Sequence, residues 1–213
     1  MPGASGDWSI NPLWLGDAPL VLASKSASRR ALLEAARIPV EIVSVEVDER
    51  PLEAQAARRG AGPAVIAREL ARAKALAGSA QSPGRLVIGA DQTLALGDEA
   101  FHKPRDRAAA RAQLARLAGN RHSLHSALAV ARDGAILFAT VQSAHLTMRP
   151  LDGLIIDAYL DAAGDAVLSS VGGYQLEGVG IHLFDAVEGD HAVILGLPLL
   201  PLLGFLREHG VLL

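Results

Sequence analysis

The 213-residue chain has no cysteine. That absence excludes disulfide bonds, a thiol nucleophile and a thiolate-held metal. It also lacks any apolar run near the ~20 residues that span a bilayer, because each short run is broken by charges, Gly or Pro. Twenty basic against 23 acidic side chains leave a formal charge of −3. No broad cationic footprint for a nucleic-acid polymer follows from that balance, although a local cationic pocket is compatible with it. The opening MPGASGDWSINPLWLGDAP has no charged start, apolar stretch or cleavage-type ending. It reads as an irregular arm over residues 1–19, with Trp8 and Trp14 docking onto the body. Half of the residues are apolar, enough for a sizeable core. A cytoplasmic globular protein with one ordered domain over residues 20–213 is the expectation.

What is present alternates short strands with amphipathic helices. Leu20–Ala23 is strand-like, the turn Ser24-Lys25-Ser26-Ala27-Ser28 follows, and a helix is predicted over 29–36. Val40–Val47 alternates with period two. Two Ala/Arg-rich helical stretches flank Gly60-Ala61-Gly62-Pro63, the second running over 65–77 and ending near Gly78. Residues 85–90 read as a buried strand delivering Asp91 at its end. Gly97-Asp98 and Asp133-Gly134 mark hairpin turns, helices are predicted over 106–117, 151–163 and 198–208, and a strand over 181–187. This pattern implies an α/β fold: a mixed, twisted sheet flanked by helices, with two lobes around a cleft.

Several segments can carry chemistry. The serine turn places hydroxyls and cations where a helix begins, a place suited to phosphate; a plain Ser N-cap beside solvated basic residues reads it equally well. Asp91 at a strand end can hold a divalent metal or orient a water, and a turn-forming Asp is the bland alternative. Of the 20 basic residues only Lys25, Lys74 and Lys103 are lysine. A retained Lys among so many Arg hints at a need for a compact, rotatable point charge. In Gly172–Gly180, glycines permit close approach of a ligand, Gln175 and Glu177 can read base edges, and Tyr174 can stack; a bulged turn between strands is the alternative. The seven histidines show no zinc spacing, and His122 and His125 point to opposite faces of one strand. P-loop, Rossmann and G-x-S-x-G patterns are absent.

Taken in order, these segments resemble the Maf family of nucleoside triphosphate pyrophosphatases. The resemblance rests on Leu22-Ala23-Ser24-Lys25-Ser26-Ala27-Ser28-Arg29-Arg30, Val47-Asp48-Glu49, Ala73-Lys74-Ala75, Val87-Ile88-Gly89-Ala90-Asp91-Gln92, His102-Lys103-Pro104, Gly172 through Gly180, Glu188-Gly189-Asp190 and Gly196-Leu197-Pro198-Leu199. It implies hydrolysis of a nucleoside triphosphate to monophosphate and pyrophosphate with a divalent cation (Mg, Mn or Co), with a homodimer expected from the family. Asp91 is then the proton acceptor, Asp91 and Glu49 hold the metal or water, and Lys74, Lys103 and Arg29 clamp phosphates cradled by Ser24 and Ser26. Lys25 stands where the family usually has Gly. At three specificity positions this chain has Ser28, Gln92 and Glu177. The last two resemble the branch preferring 7-methyl-GTP, which carries Trp in place of Ser28, so a guanine-like or modified purine nucleotide is expected. A nucleotide-binding regulator of septum formation with little turnover, and a sugar-nucleotide or phosphosugar enzyme, are the alternative readings.

Overall fold

In the computed structural model, which describes residues 11–213, β1 (Leu20–Leu22) is fully buried and pairs in parallel with β2 (Val40–Ile42) and β3 (Val87–Leu96). Helix α1 (Ala27–Ala35) starts where Ser26 Oγ accepts from the Arg29 amide, a side-chain cap that satisfies one orphan donor of the first turn. Two helices follow β2. The first, α2 (Glu49–Arg58), buries only Ala56, whereas α3 (Pro63–Gln81) lies along the sheet. The hairpin of β3 with β4 (Glu99–Phe101), helix α4 (Arg107–Leu117), and the long hairpin β5 (Arg121–Arg132) and β6 (Ala135–Met148) come next. Helix α5 (Gly153–Ala163), 3-10 turns at Gly164–Ser169, Val171–Gly173 and Val179–Leu183, strand β7 (Phe184–Glu188), and helices α6 (His191–Ile194) and α7 (Leu199–Glu208) complete the described elements. The seven strands form one mixed sheet in the order β2-β1-β3-β5-β6-β7, with β4 on the end of β3. The expected α/β class with a mixed sheet is the one found.

Helix α3 covers one face through small residues: Ala67, Ala71 and Ala75 meet Ala127, Ala129 and Ala131 of β5. The approach is so close that a Cβ on Gly89 would sit 2.2 Å from the Ala71 carbonyl oxygen. The opposite face carries two separate apolar clusters. One gathers Leu22, Leu33, Ile88, Leu128, Val130, Leu202 and Phe205 around α1 and α7. The other gathers Leu94, Leu114, Leu124, Leu146, Tyr159 and Tyr174 around α4 and α5. Between them on β5 lies Ser126, buried and polar, directly opposite Gln92 of β3. Two packing centres on one continuous sheet, with a polar seam between, give the expected two-lobed form its physical basis.

Some expected boundaries shift for stated reasons. Asp91 lies inside β3 rather than at its end, because β5 pairs with β3 from Val87 to Ala95. The parallel partner β1 does end, at Leu22 opposite Ile88, so Asp91 still stands just beyond the carboxyl end of the parallel strands. The alternating run to Val47 forms a ladder only over Val40–Ile42, since β1 offers no partner further on; Val43 and Val45 nevertheless pack on Val21, Ala23 and Val87. Helix α3 passes through Gly78 to Gln81. That glycine marks contact rather than an end, for a Cβ there would lie 2.7 Å from a Val87 methyl. The stretch 181–183 belongs to a 3-10 turn, and β7 begins at Phe184. Helix α6 was not foreseen. The Asp190 cap, which accepts from the Ala192 amide at 2.7 Å, is its local signal.

The arm is less irregular than expected. Trp14 bridges to Leu212 and is buried in the α1/α7 cluster, and Asn11 donates to the Arg37 carbonyl. Trp8 lies outside the described residues. No helix among the described residues is long and apolar enough to cross a membrane.

Candidate active site

A cavity of about 1120 Å³ opens over the carboxyl end of β1 and the middle of β3. Its walls come from the serine turn, the exposed flank of α2, the start of α3, the segment after β4, and residues 168–177. All the sequence-predicted site residues line it: Ser24, Ser26, Ser28, Arg29, Glu49, Lys74, Asp91, Gln92, Lys103 and Glu177.

On its floor, Lys74 of α3 donates to Asp91 Oδ1 at 2.5 Å and pairs with Glu49 Oε1, at the first residue of α2, at 2.8 Å. The Asp91 and Lys74 side chains are only 12% and 15% exposed, whereas Glu49 is 46% exposed. The inner pair is therefore weakly screened and the outer carboxylate faces water. Burial raises the Asp91 pKa above the usual carboxylate value; Lys74 and Arg29 oppose that rise and Glu49 adds to it. A carboxylate more basic than usual is a better proton acceptor.

Arg29 reaches the floor from α1. Its Nη1 donates to Ser24 Oγ at 3.0 Å and to the Ala90 carbonyl at 2.8 Å, while Nε donates to the Gly196 carbonyl at 2.9 Å. Burial lowers its pKa, opposed by Asp91 and Glu49, and a guanidinium remains charged throughout. Much of its fork is thus engaged in joining the serine turn, β3 and the segment after α6. Its charge still faces the cavity.

Gln92 is similarly engaged. Its Nε2 donates to Ser126 Oγ at 2.9 Å and to the Val193 and Ile194 carbonyls at 3.1 and 3.0 Å. The amide protons of this expected specificity residue thus hold α6 across the seam. Glu177, in contrast, is exposed at the rim and accepts from Ser28 Oγ at 3.4 Å. Tyr174 does not present a stacking face to a ligand. It is 4% exposed, its hydroxyl is 2.7 Å from His122 Nε2, and its ring meets Phe184 edge-on. His122 itself is buried with Nδ1 unpartnered, and burial pushes its pKa down to about 4.

Arg50 and Glu53 of α2 also line the cavity and were missed by the sequence reading. The signal was available: 49, 50, 53, 54 and 57 follow the helical spacing of one face.

Asp91 and Glu49 converge on one cation, Lys74 Nζ, and among the described residues no hydrogen bond engages Asp91 Oδ2 or Glu49 Oε2. Two hard oxygen donors on the floor of a cleft walled by hydroxyls and cations suit a divalent ion that completes its shell with substrate oxygens and water. No group of three or more carboxylates or histidines among the described residues offers an all-protein metal cage.

A family model described as "Maf-like protein" matches residues 19–209. The chain belongs to the Maf family. Among its relatives, a nucleoside triphosphate pyrophosphatase of Rhodopseudomonas palustris (strain HaA2) is 58% identical over 200 residues, covering 94% of this chain and 98% of that protein. A second, from strain BisB18, is 56% identical over the same shares. A 7-methyl-GTP pyrophosphatase of Brucella abortus biovar 1 (strain 9-941) is 53% identical over 190 residues, 89% of this chain and 96% of that protein.

Proposed function

We propose that this Maf protein is a nucleoside triphosphate pyrophosphatase that attacks the α-phosphorus with water and releases pyrophosphate. The observation that carries the reading is the buried Asp91–Lys74 pair with Glu49 at its edge, on the floor of a cleft walled by hydroxyls and cations. A protein that only binds nucleotide has no use for a desolvated carboxylate facing a polyanion. An enzyme that must take a proton from water has one.

The relatives' names support the reaction class, and the geometry supports the roles. Asp91 accepts the proton of the attacking water, with Lys74 fixing the carboxylate in place through Oδ1. Lys74, Arg29 and Lys103 supply positive charge to the phosphates, while Ser24 and Ser26 cradle them. Asp91 and Glu49 would hold a divalent cation (Mg, Mn or Co), which when bound neutralises phosphate charge and polarises the reacting phosphorus centre.

For the base, Glu177 favours guanine: a carboxylate accepts from both N1–H and the exocyclic amine of that ring. Its negative charge also complements a cationic 7-methylguanine. The protein is expected in the cytoplasm as a homodimer, acting on free nucleotides.

The test measures pyrophosphate release from GTP, 7-methyl-GTP, dTTP and UTP with each metal, in wild type and Asp91→Asn. Guanine nucleotides are expected to turn over fastest, with Asp91→Asn reducing the rate by about 10²–10⁴-fold. Equal rates in the two proteins would remove Asp91 from the mechanism. Fastest hydrolysis of dTTP or UTP would overturn the base assignment alone.

A further inference from the structure

Arginine fills 17 of the 20 basic positions of this chain, yet all three lysines line one cavity. Two of the cations at its floor are already engaged. Lys74 is closed by two carboxylates, and Arg29 donates to Ser24 and to the Ala90 and Gly196 carbonyls. Lys25 differs from both. It stands exposed in the turn between β1 and α1, flanked by Ser24 and Ser26, and its side chain makes no ion pair or hydrogen bond among the described residues. An ordinary solvated basic position in this chain is filled by arginine, as exposed Arg58 and Arg68 are.

A triphosphate brings roughly four negative charges, and hydrolysis beside Asp91 concentrates charge on the departing pyrophosphate. Cations tied up at the floor meet that demand only in part, so a free ammonium on the cavity wall is well placed for it.

Resting on the pyrophosphatase reading above, we propose that Lys25 binds the terminal phosphates of the substrate and stabilises the leaving pyrophosphate. In that step the water oxygen bonds to the α-phosphorus and its proton passes to Asp91. The bond from the α-phosphorus to the bridging oxygen breaks, and its electron pair stays on the pyrophosphate, beside Lys25. A flexible ammonium follows the leaving group as it moves, where a planar fork demands a fixed partner geometry.

The experiment uses the full chain as wild type, Lys25→Gly, Lys25→Gln and Lys25→Arg. Calorimetric titration with inorganic tripolyphosphate in magnesium buffer is paired with GTP kinetics and GMP inhibition, and melting curves identify which variants are folded. Loss of one charge-assisted contact is expected to weaken tripolyphosphate binding about tenfold or more in the Gly and Gln variants. The Arg variant should restore most of that binding. The kcat/KM for GTP should fall at least as far, while GMP inhibition stays unchanged because GMP lacks the terminal phosphates. Unaltered tripolyphosphate affinity would overturn the proposal. So would GMP inhibition weakened in proportion, or an equal loss in the Arg variant, which would trace the effect to the turn's backbone. Absence of pyrophosphate release by wild type from every nucleotide would refute the pyrophosphatase reading instead, and the tripolyphosphate titration would still decide Lys25.

Discussion

Acidification should destabilise this protein in large part through one buried imidazole. His122 is 1% exposed; its Nε2 is hydrogen-bonded to Tyr174, and its Nδ1 faces no partner. Burial disfavours the charged ring, so its folded pKa falls from 6.5 to about 4. The unfolded chain takes up this proton as pH drops below about 6.5 and the folded chain declines it until about 4. Stability is therefore whole above the upper value, drains away as pH falls through the window, and levels off below it. The depression corresponds to roughly 3 kcal/mol, a large share of a marginal folding free energy. The assay is urea unfolding of wild type and His122→Gln at several pH values between 7 and 4. A glutamine cannot titrate and can still reach the Tyr174 hydroxyl. Carboxylate titrations are common to both proteins and cancel in the difference, so the wild type should lose about 3 kcal/mol more than the variant on acidification. Parallel pH profiles would refute the reasoning.

Three further outcomes follow from other contacts. Asp91→Asn should leave the melting temperature at pH 7–8 equal or higher: a raised folded pKa means that the ionised carboxylate costs stability once pH exceeds its ordinary value of 3.8. A lower melting temperature would contradict that sign. Gln92→Leu strips the Ile194 carbonyl of its donor and should cost roughly 1–3 kcal/mol in chemical denaturation. Pyrophosphate release should slow with it, because Ile194 and Leu195 wall the cavity. Gly89→Ala drives a methyl into the α3 backbone, 2.2 Å from the Ala71 oxygen, and should destabilise by at least ~1–3 kcal/mol; an unchanged midpoint would show that the helix can shift freely.

Much of the fold could be read from local pattern, since turn chemistry and helical periodicity are local. Asp133-Gly134 named the long hairpin, Asp106 capped α4, and Pro198 opened α7. Errors arose where distant partners decide. Asp91 sits mid-strand because β5 reaches past β1, and Gly78 is interior because Val87 and Ala23 press on it. The cleft residues could be named through the resemblance to the Maf family, because local pattern alone leaves the serine turn equally readable as a Ser N-cap and Asp91 as a turn former. Their division of labour could not. Only the three-dimensional arrangement shows Gln92 turned toward Ser126 and α6, Arg29 bonded to two carbonyls, and Tyr174 committed to His122.

The bond from Arg29 to the Gly196 carbonyl joins positions 167 residues apart, and Trp14 meets Leu212 from further still. A nascent polypeptide emerging from a ribosome would carry its serine turn and Asp91 long before either anchor exists. The hold that the Gly196 carbonyl gives Arg29, and through it the serine turn, comes only after α6 has been made. A product cut before Gly196 would therefore lack that clamp on the cavity floor.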